Sequence, residues 1–487
     1  MKYRVALAAM MLTAALPFSA GAQSLTNLKN QPPDGAVITM QMTDGTVVAQ
    51  GGNLNDWWKL TPDNTGSYVN GTWTQLATLP TGYAPYAMAE AVLADGRLVI
   101  SGGEYNETFD CCQFTNQSAI YDPLKNTWSM IKPPKGWTNI GDAPSIVLPD
   151  GRFVIAFKFK TQMAALDPKT LKWSALKSIG KNGNMTAEEG WVLQPDGTFL
   201  TVDVKAHPDS ELYDPKSGKW IDEGDTANVD LRGSQNCCGT CIPYGKDDQK
   251  CYDPPGETGA AMRRPDGTVF AVGSTPDGQN TAHSAIWTPP SKGKLGTWAA
   301  GPDFPDGDQS YDDPVSILPN GNVLVESESG RLYEFDGTNL NKTSFNGYGS
   351  LMPLPTGEVL VGGSAVYKTT GTYQQSWAPA ISNAPSSVTH GQTYQISGTQ
   401  FNGLNQGGAF GDEFDIHTNY PLVRITNNSS HHVFYCRTHD HSSMGVATGS
   451  KTITTSFDVP SGTETGASQL VVVANGIPST AVNVTVQ

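Results

Sequence analysis

The sequence predicts an all-β protein, a seven-bladed β-propeller followed by an immunoglobulin-like β-sandwich. Three observations predict it: a turn phrase that recurs seven times, a second phrase that follows most copies, and a change of punctuation after residue 379. The turn phrase is Asp, Asn or Thr followed by Gly and then alternating apolar residues. Its copies begin at Asp44-Gly45, Asp95-Gly96, Asp150-Gly151, Asp196-Gly197, Asp266-Gly267, Asn320-Gly321 and Thr356-Gly357. Each stands between apolar runs, such as residues 145–148 and 152–155. Gly accepts the positive φ of a tight turn, so Asp-Gly between two such runs marks a hairpin.

The second phrase supplies two more strands per unit. It reads Tyr121-Asp122-Pro123 with Trp128, Leu166-Asp167-Pro168 with Trp173, and Tyr213-Asp214-Pro215 with Trp220. Weaker copies are Trp287-Thr288-Pro289 with Trp298 and Leu60-Thr61-Pro62 with Trp73. The sixth unit keeps Leu332-Tyr333-Glu334 without the Trp, and the seventh ends at Trp377. A lone four-stranded sheet cannot bury both faces, whereas seven set radially can. Beyond residue 379 the repeat stops. Alternating segments at 394–399, 422–425, 452–457 and 469–473 are separated by Gly, Asn and Ser turns, the pattern of a sandwich. The expected organisation is an export signal over 1–22, the propeller over 23–379 and the sandwich over 380–487.

The leader has a basic start at Lys2 and Arg4, an apolar stretch, and a small-residue cleavage site at Ala20-Gly21-Ala22. No later run is long enough to cross a bilayer as a helix. A secreted or periplasmic location is expected, with no membrane span. The net charge of -15 argues against a nucleic-acid partner, whose phosphates attract Lys and Arg. Seven cysteines fit an oxidising compartment. Cys241 and Cys251 are expected to close a loop, and the adjacent pairs Cys111-Cys112 and Cys237-Cys238 to bridge internally or between loops. Cys436 is left as a buried apolar residue.

The Asp-Gly, Gly-Gly, Tyr-Asp-Pro and Trp signature resembles kelch repeats. With the C-terminal sandwich it is similar to the galactose oxidase and glyoxal oxidase family. Residues 459–461 and 470–479 resemble that family's closing strands, and Thr438-His439-Asp440 falls where it has a Thr-His on a loop entering the propeller axis. The resemblance implies a copper-radical oxidase centre of two Tyr and two His, one Tyr being thioether-linked to Cys. His439 matches the sandwich His, Tyr348 falls near the axial Tyr, and Tyr86 near the cross-linked one. The sequence departs from the family where Gly349 or Ser350 replaces the second His and where no early Cys is in register.

The residues also speak without the resemblance. The strand before each Asp-Gly turn lines the propeller axis, so residues eight to ten positions before the Gly ring one mouth of the channel. Those positions hold Asp142, Glu188, Glu189, Glu257, Asp312 and Asp313, with Tyr311 and Tyr348 beside them. Converging carboxylates can hold a hard cation, accept hydrogen bonds from sugar hydroxyls, or work as an acid/base pair. They can equally be solvated residues at strand entries. Glu188, Asp312 and Tyr348 are expected to act on a ligand there, and Asp142, Glu189, Glu257, Asp313 and Tyr311 to bind it.

A second cluster, residues 431–444, holds four of the eight histidines beside Cys436 and Met444. Such ligands suit copper or zinc. His439 and His441 are the metal candidates, the alternatives being a hydrogen-bonded plug with Arg437 and Asp440 paired, or direct ligand contact. Trp57-Trp58 and Trp137 are candidate platforms for a sugar ring. The expected function is binding or processing of a glycan or other small polar ligand at an axial mouth plugged by the His439 loop. The alternatives are a copper-dependent oxidase of alcohols or aldehydes and a structural or adhesive propeller.

Overall fold

The computed structural model describes residues 22–110, 113–186, 188–233, 242–244, 250–252, 256–274, 282–290, 295–310, 312–410 and 416–487. Nearly all of the expected leader, the expected cysteine bridges and Tyr311 lie outside the described residues or their side chains.

Seven antiparallel sheets follow one another along the chain. Their first strands are Ile38–Gln41, Ala89–Val92, Ser145–Val147, Val192–Leu193, Ala261–Arg263, Pro314–Ile317 and Leu351–Pro353. Most neighbours among these strands touch, so they face one axis and each sheet is a blade. All seven repeated turns carry a Gly in the left-handed region, φ between 75° at Gly45 and 94° at Gly267. In six of them the preceding Asp or Asn accepts a hydrogen bond from the amide two residues on, as at Asp44 and Thr46, 3.0 Å. This Asx geometry is why Asp-Gly and Asn-Gly recur.

The Tyr-Asp-Pro and Trp phrase is a cross-strand pair. Tyr121 faces Trp128, Leu166 faces Trp173, and Tyr213 faces Trp220. The indole nitrogens then reach toward the preceding blade: Trp298 Nε1 donates to Ser210 Oγ at 2.8 Å, and Trp128 Nε1 to the Ala77 carbonyl at 3.1 Å. Trp57 is fully buried against Trp128, ring centres 4.9 Å apart, so it is blade core and no sugar platform.

Blade seven is completed differently from the expectation. Its outer strand is Ser24–Asn27, paired antiparallel with Ala365–Lys368, while Trp377 lies in a short turn of 3-10 helix. One sheet thus contains both ends of the propeller segment, which locks the ring.

After Trp377 the strands pair along an eight-stranded path, with Ile477–Pro478 joined off it, around a core that includes Val388, Ile396, Val423, Cys436, Phe457 and Val472. Val433–His439 turns the corner of this sandwich: its first half pairs with Leu422–Asn427 and its second with Ile453–Asp458. Cys436 is a free, fully buried thiol. The sandwich covers the face formed by the Asp-Gly turns. Thr438 N donates to Thr43 O at 3.1 Å, Met444 N to Pro149 O at 3.1 Å, and Arg263 donates to Leu404 O at 2.7 Å. Among the described residues no helix is long and apolar enough to cross a membrane.

Deleting residues 22–28 strips blade seven of its outer strand and bares the Ala365–Lys368 edge. The midpoint of thermal unfolding should fall by roughly 5 °C or more. An unchanged midpoint would show that closure does not need this strand.

Candidate functional site

The inner strands have two ends. The Asp-Gly turns lie at one, under the sandwich. The residues that enter each strand lie at the other, and there the structure gathers charge. Asp142, just before the inner strand of blade three, pairs with the Lys158 ammonium, which also pairs with Glu188. All three are buried. Glycines make this approach possible. A Cβ on Gly102 would lie 2.3 Å from the Gly141 carbonyl, and one on Gly141 would press on the Lys158 stem at 3.1 Å. Gly103 N donates to Gly141 O at 2.9 Å, which sets Glu104 of blade two beside the group. Glu188 holds a left-handed backbone, φ 57°, uncommon outside Gly, and its carbonyl accepts from Thr258 Oγ1 at 3.0 Å.

The electrostatics follow from burial and crowding. Burial raises the Glu104 carboxyl to about 7, with Asp142 adding to the shift and Lys158 opposing it. Burial also raises Asp312 to about 6, with Glu104 adding and Lys158 again opposing. Asp312 keeps an exposed surface at this end of the ring. Burial alone would depress the Lys158 ammonium, but Asp142, Glu188 and Glu104 outweigh it and hold the charge. Aromatic rings flank the group. Lys158 Nζ lies 5.0 Å from the Phe114 ring centre and 5.6 Å from that of Phe159. Tyr86, Tyr105 and Phe109 form a second cluster, with Tyr86 5.6 Å from Tyr105 and 5.4 Å from Phe109. Phe109 is 54% exposed. Trp137 packs on Phe157 at 5.2 Å.

Of the expected mouth residues, Asp142, Glu188 and Asp312 are brought together. Asp313 lies beside Glu326, whose carboxyl is raised to about 9 by burial and then by Asp313. Glu257 sits on a two-residue ribbon paired with Arg232–Gly233. Glu189 does not reach the recess. The left-handed backbone at Glu188 turns the chain so that Glu188 meets Lys158 while Glu189 turns into blade four. There, fully buried, it meets Lys181 at 3.0 Å together with Asp203 at 2.9 Å and Glu211 at 2.8 Å. Tyr348 is 68% exposed, and its hydroxyl donates to Ser329 O at 2.9 Å. Glu104, Tyr105 and Lys158 were missed because they come from the far ends of second strands. The Gly102-Gly103 pair was the available signal.

The axial plug is also corrected. The segment that enters the channel is Gly408–Phe410, which pairs with the inner strand Pro314–Ile317 and runs toward the charged mouth. The His439 strand cannot enter, because both its neighbours hold it in the sandwich and its end rests on the Thr43 and Ala94 carbonyls. His439 sits between Asp440 at 2.7 Å and Asp458 at 3.2 Å. Arg437 pairs with Asp458 rather than Asp440. His441 is buried and held neutral, its pKa lowered to about 3 by burial and then by His439 and Arg437 against Asp440, with Nδ1 2.8 Å from Thr455 Oγ1.

The implied copper does not fit the described side chains. The groups described at the mouth are carboxylates, an ammonium and the phenols of Tyr86 and Tyr105, and not the two imidazoles that the resemblance implies. His417, at the base of the axial segment, is 2.6 Å from Gln406 Nε2. Among the described residues no three His, Cys, Asp or Glu side chains are grouped to hold a metal ion.

No family model and no curated protein matches the chain. Among solved structures it is similar to a fungal alcohol oxidase of the AA5 family in complex with copper, at TM-score 0.49 and 12% identity over 96% of this chain and 100% of that one. It is also similar to the protein YjhT, at 0.40 and 15% over 64% and 99%. A third is an inactive variant of virginiamycin B lyase from Staphylococcus aureus with quinupristin, at 0.45 and 10% over 72% and 99%. The seven blades and the strands that follow them bear out, at the level of fold, the resemblance read from the repeats.

Two consequences are measurable. Lys181→Met would leave three buried carboxylates without their cation, and should cost about 3–5 kcal/mol in chemical denaturation; a loss below about 1 kcal/mol would contradict the ion cluster. Glu326 titrates near 9 when folded against about 4.5 when unfolded. The folded state therefore holds the extra proton between those values, and stability falls as pH rises from about 4.5 to 9. Glu326→Gln should flatten that slope, and an unaltered slope would refute the burial of this carboxyl.

Proposed function

We propose that this protein binds a carbohydrate, or another small ligand rich in hydroxyls, in the charged recess at the mouth opposite the sandwich. The observation that carries this reading is the buried Asp142–Lys158–Glu188 group with the exposed Asp312 and the Tyr86, Tyr105 and Phe109 rings beside it. Sugar hydroxyls donate to carboxylates and accept from an ammonium, while the apolar faces of a sugar ring rest on aromatic rings. Sites of this kind combine aromatic walls with a few fixed polar groups. The leader expected over residues 1–22 would deliver such a binder to the secreted or periplasmic space, where glycans are met.

Chemical processing of the same ligand is a second reading. It is favoured by one observation: Glu104 and Asp312 both titrate near neutrality at one site, as an acid/base pair requires.

Binding to a glycan array, followed by calorimetry on the best ligand, tests the proposal. Asp312→Asn and Phe109→Ala should each weaken binding by roughly tenfold, while His439→Ala, at the far face, should not. Wild-type affinity in both recess variants would move the site elsewhere, and an array with no signal would end the carbohydrate reading.

A further inference from the structure

Where the sandwich meets blades one and two, the seam opens into a cleft of about 400 Å³. It lies on the face of the Asp-Gly turns, at the far end of the ring from the charged mouth. Its sandwich side is the strand Val433–His439. Val433 and Tyr435 rest on glycines of blade one: a Cβ on Gly66 would lie 3.3 Å from Val433 Cγ1, and one on Gly45 would lie 2.5 Å from Tyr435 Cγ. Pro62 and Pro460 flank them, and Leu124 stands at the rim, 71% exposed. The walls are therefore mostly apolar. Four charged side chains, Asp44, Asp63, Asp458 and Arg437, complete the lining. Arg437 pairs with Asp458 at 3.1 Å. Asp44 and Asp63 accept hydrogen bonds from Thr46, Thr65, Ser67 and Asn70, neutral donors that leave the carboxylate charge in place. Burial would raise the Asp63 carboxyl, but those bonds outweigh it and hold it below the usual carboxylate range. Apolar clefts of this size with a few fixed polar groups, at a seam between domains, are where ligands bind. Three aspartates against one arginine favour a ligand that carries positive charge.

The backbone of the same strand narrows the class of ligand. Backbone groups of successive residues in a strand point to opposite edges. Phe434 and Cys436 pair with Leu422–Asn427 on one edge, and Arg437 pairs with Asp458 on the other. The strand Ile453–Asp458 ends there. The amide and carbonyl of Tyr435 therefore turn to the side where that strand has stopped, the side of Asp458, Pro460 and the cleft. A segment from outside the sandwich already uses this edge: the Asn64 carbonyl of blade one accepts from Val433 N at 2.8 Å. A strand edge that opens on an apolar cleft suits an extended peptide, whose main chain pairs with the edge while its side chains fill the cleft. We infer that this cleft docks an extended peptide segment in which a basic side chain, Lys or Arg, stands among apolar ones. Pairing with Tyr435 would align the segment with Val433–His439. Its apolar side chains would lie against Pro62, Leu124 and Pro460, and its basic one would reach Asp44 and Asp63. The site is separate from the mouth to which the carbohydrate reading applies.

The test selects from a random octapeptide library on the full mature protein. The most enriched sequence is then synthesised with capped ends and a fluorophore, and titrated by anisotropy. Lys or Arg should be enriched among Val, Ile, Leu or aromatic residues. Exchanging the basic residue of the peptide for Glu should weaken binding about tenfold or more. Methylating its amide nitrogens one at a time should do the same at one position or more, since each methyl removes a main-chain donor. Leu124→Lys changes an exposed rim residue that the core does not use. It should weaken the basic peptide about fivefold or more and tighten binding of the Glu peptide. Ile221→Lys, also exposed but on the outer strand of blade four, should bind both peptides as the wild type does. A library with no enriched sequence, or enrichment without a basic residue, would overturn the inference. Selected peptides that bind Leu124→Lys as tightly as wild type would place the site elsewhere and overturn it too. Full affinity after methylation at every amide in turn would refute pairing with the Tyr435 edge, and with it the peptide assignment.

Discussion

Ring closure is the constraint on which everything else rests. Each four-stranded sheet has two faces to bury, and only its neighbours in the ring can cover them. Pairing of Ser24–Asn27 with Ala365–Lys368 makes the first and last propeller strands partners, so no blade can leave without breaking a sheet. The Trp hydrogen bonds between blades add local ties, but they do not close the circle.

Closure also gives the molecule two unlike faces. Every inner strand runs in the same sense, from its charged entry to its Asp-Gly turn. The turns are alike from blade to blade and supply exposed carbonyls at similar heights, and the sandwich uses these to dock. The entries differ from blade to blade. Their loops vary in length and bring Glu104, Lys158 and Asp312 from separate blades to one place. The axial segment Gly408–Phe410 runs along the inner strand of blade six, and Gly408 gives it room. A Cβ on Gly408 would stand 3.0 Å from the Leu351 carbonyl on the inner strand of blade seven.

The fold was legible because its signals are local. An Asp-Gly turn and a Tyr facing a Trp are each fixed within a few residues, and they recur. The site was only partly legible because it is not local. Counting back from each turn found Asp142, Glu188 and Asp312, since inner strands of similar length bring equal counts to equal heights. The same count included Glu189, because it did not track which way adjacent side chains point. It had no access to Lys158, which comes from the end of a second strand and reaches the group only where Gly141 leaves room. The axial plug was misplaced for a related reason. Resemblance around Thr438-His439 marked a strand, but the segment along the axis is the one whose Gly408 fits against the inner strands.

The shared sheet of blade seven has a consequence for how the chain matures. A strand made among the first residues must wait, unpaired, until residues 365–368 have been synthesised. Until then the nascent propeller is an open arc with an unsatisfied edge at each end, the kind of species that joins to its own copies. An exported chain avoids this stage if it is kept unfolded until its whole length has crossed. The topology therefore favours folding that begins only after the whole propeller segment has been made.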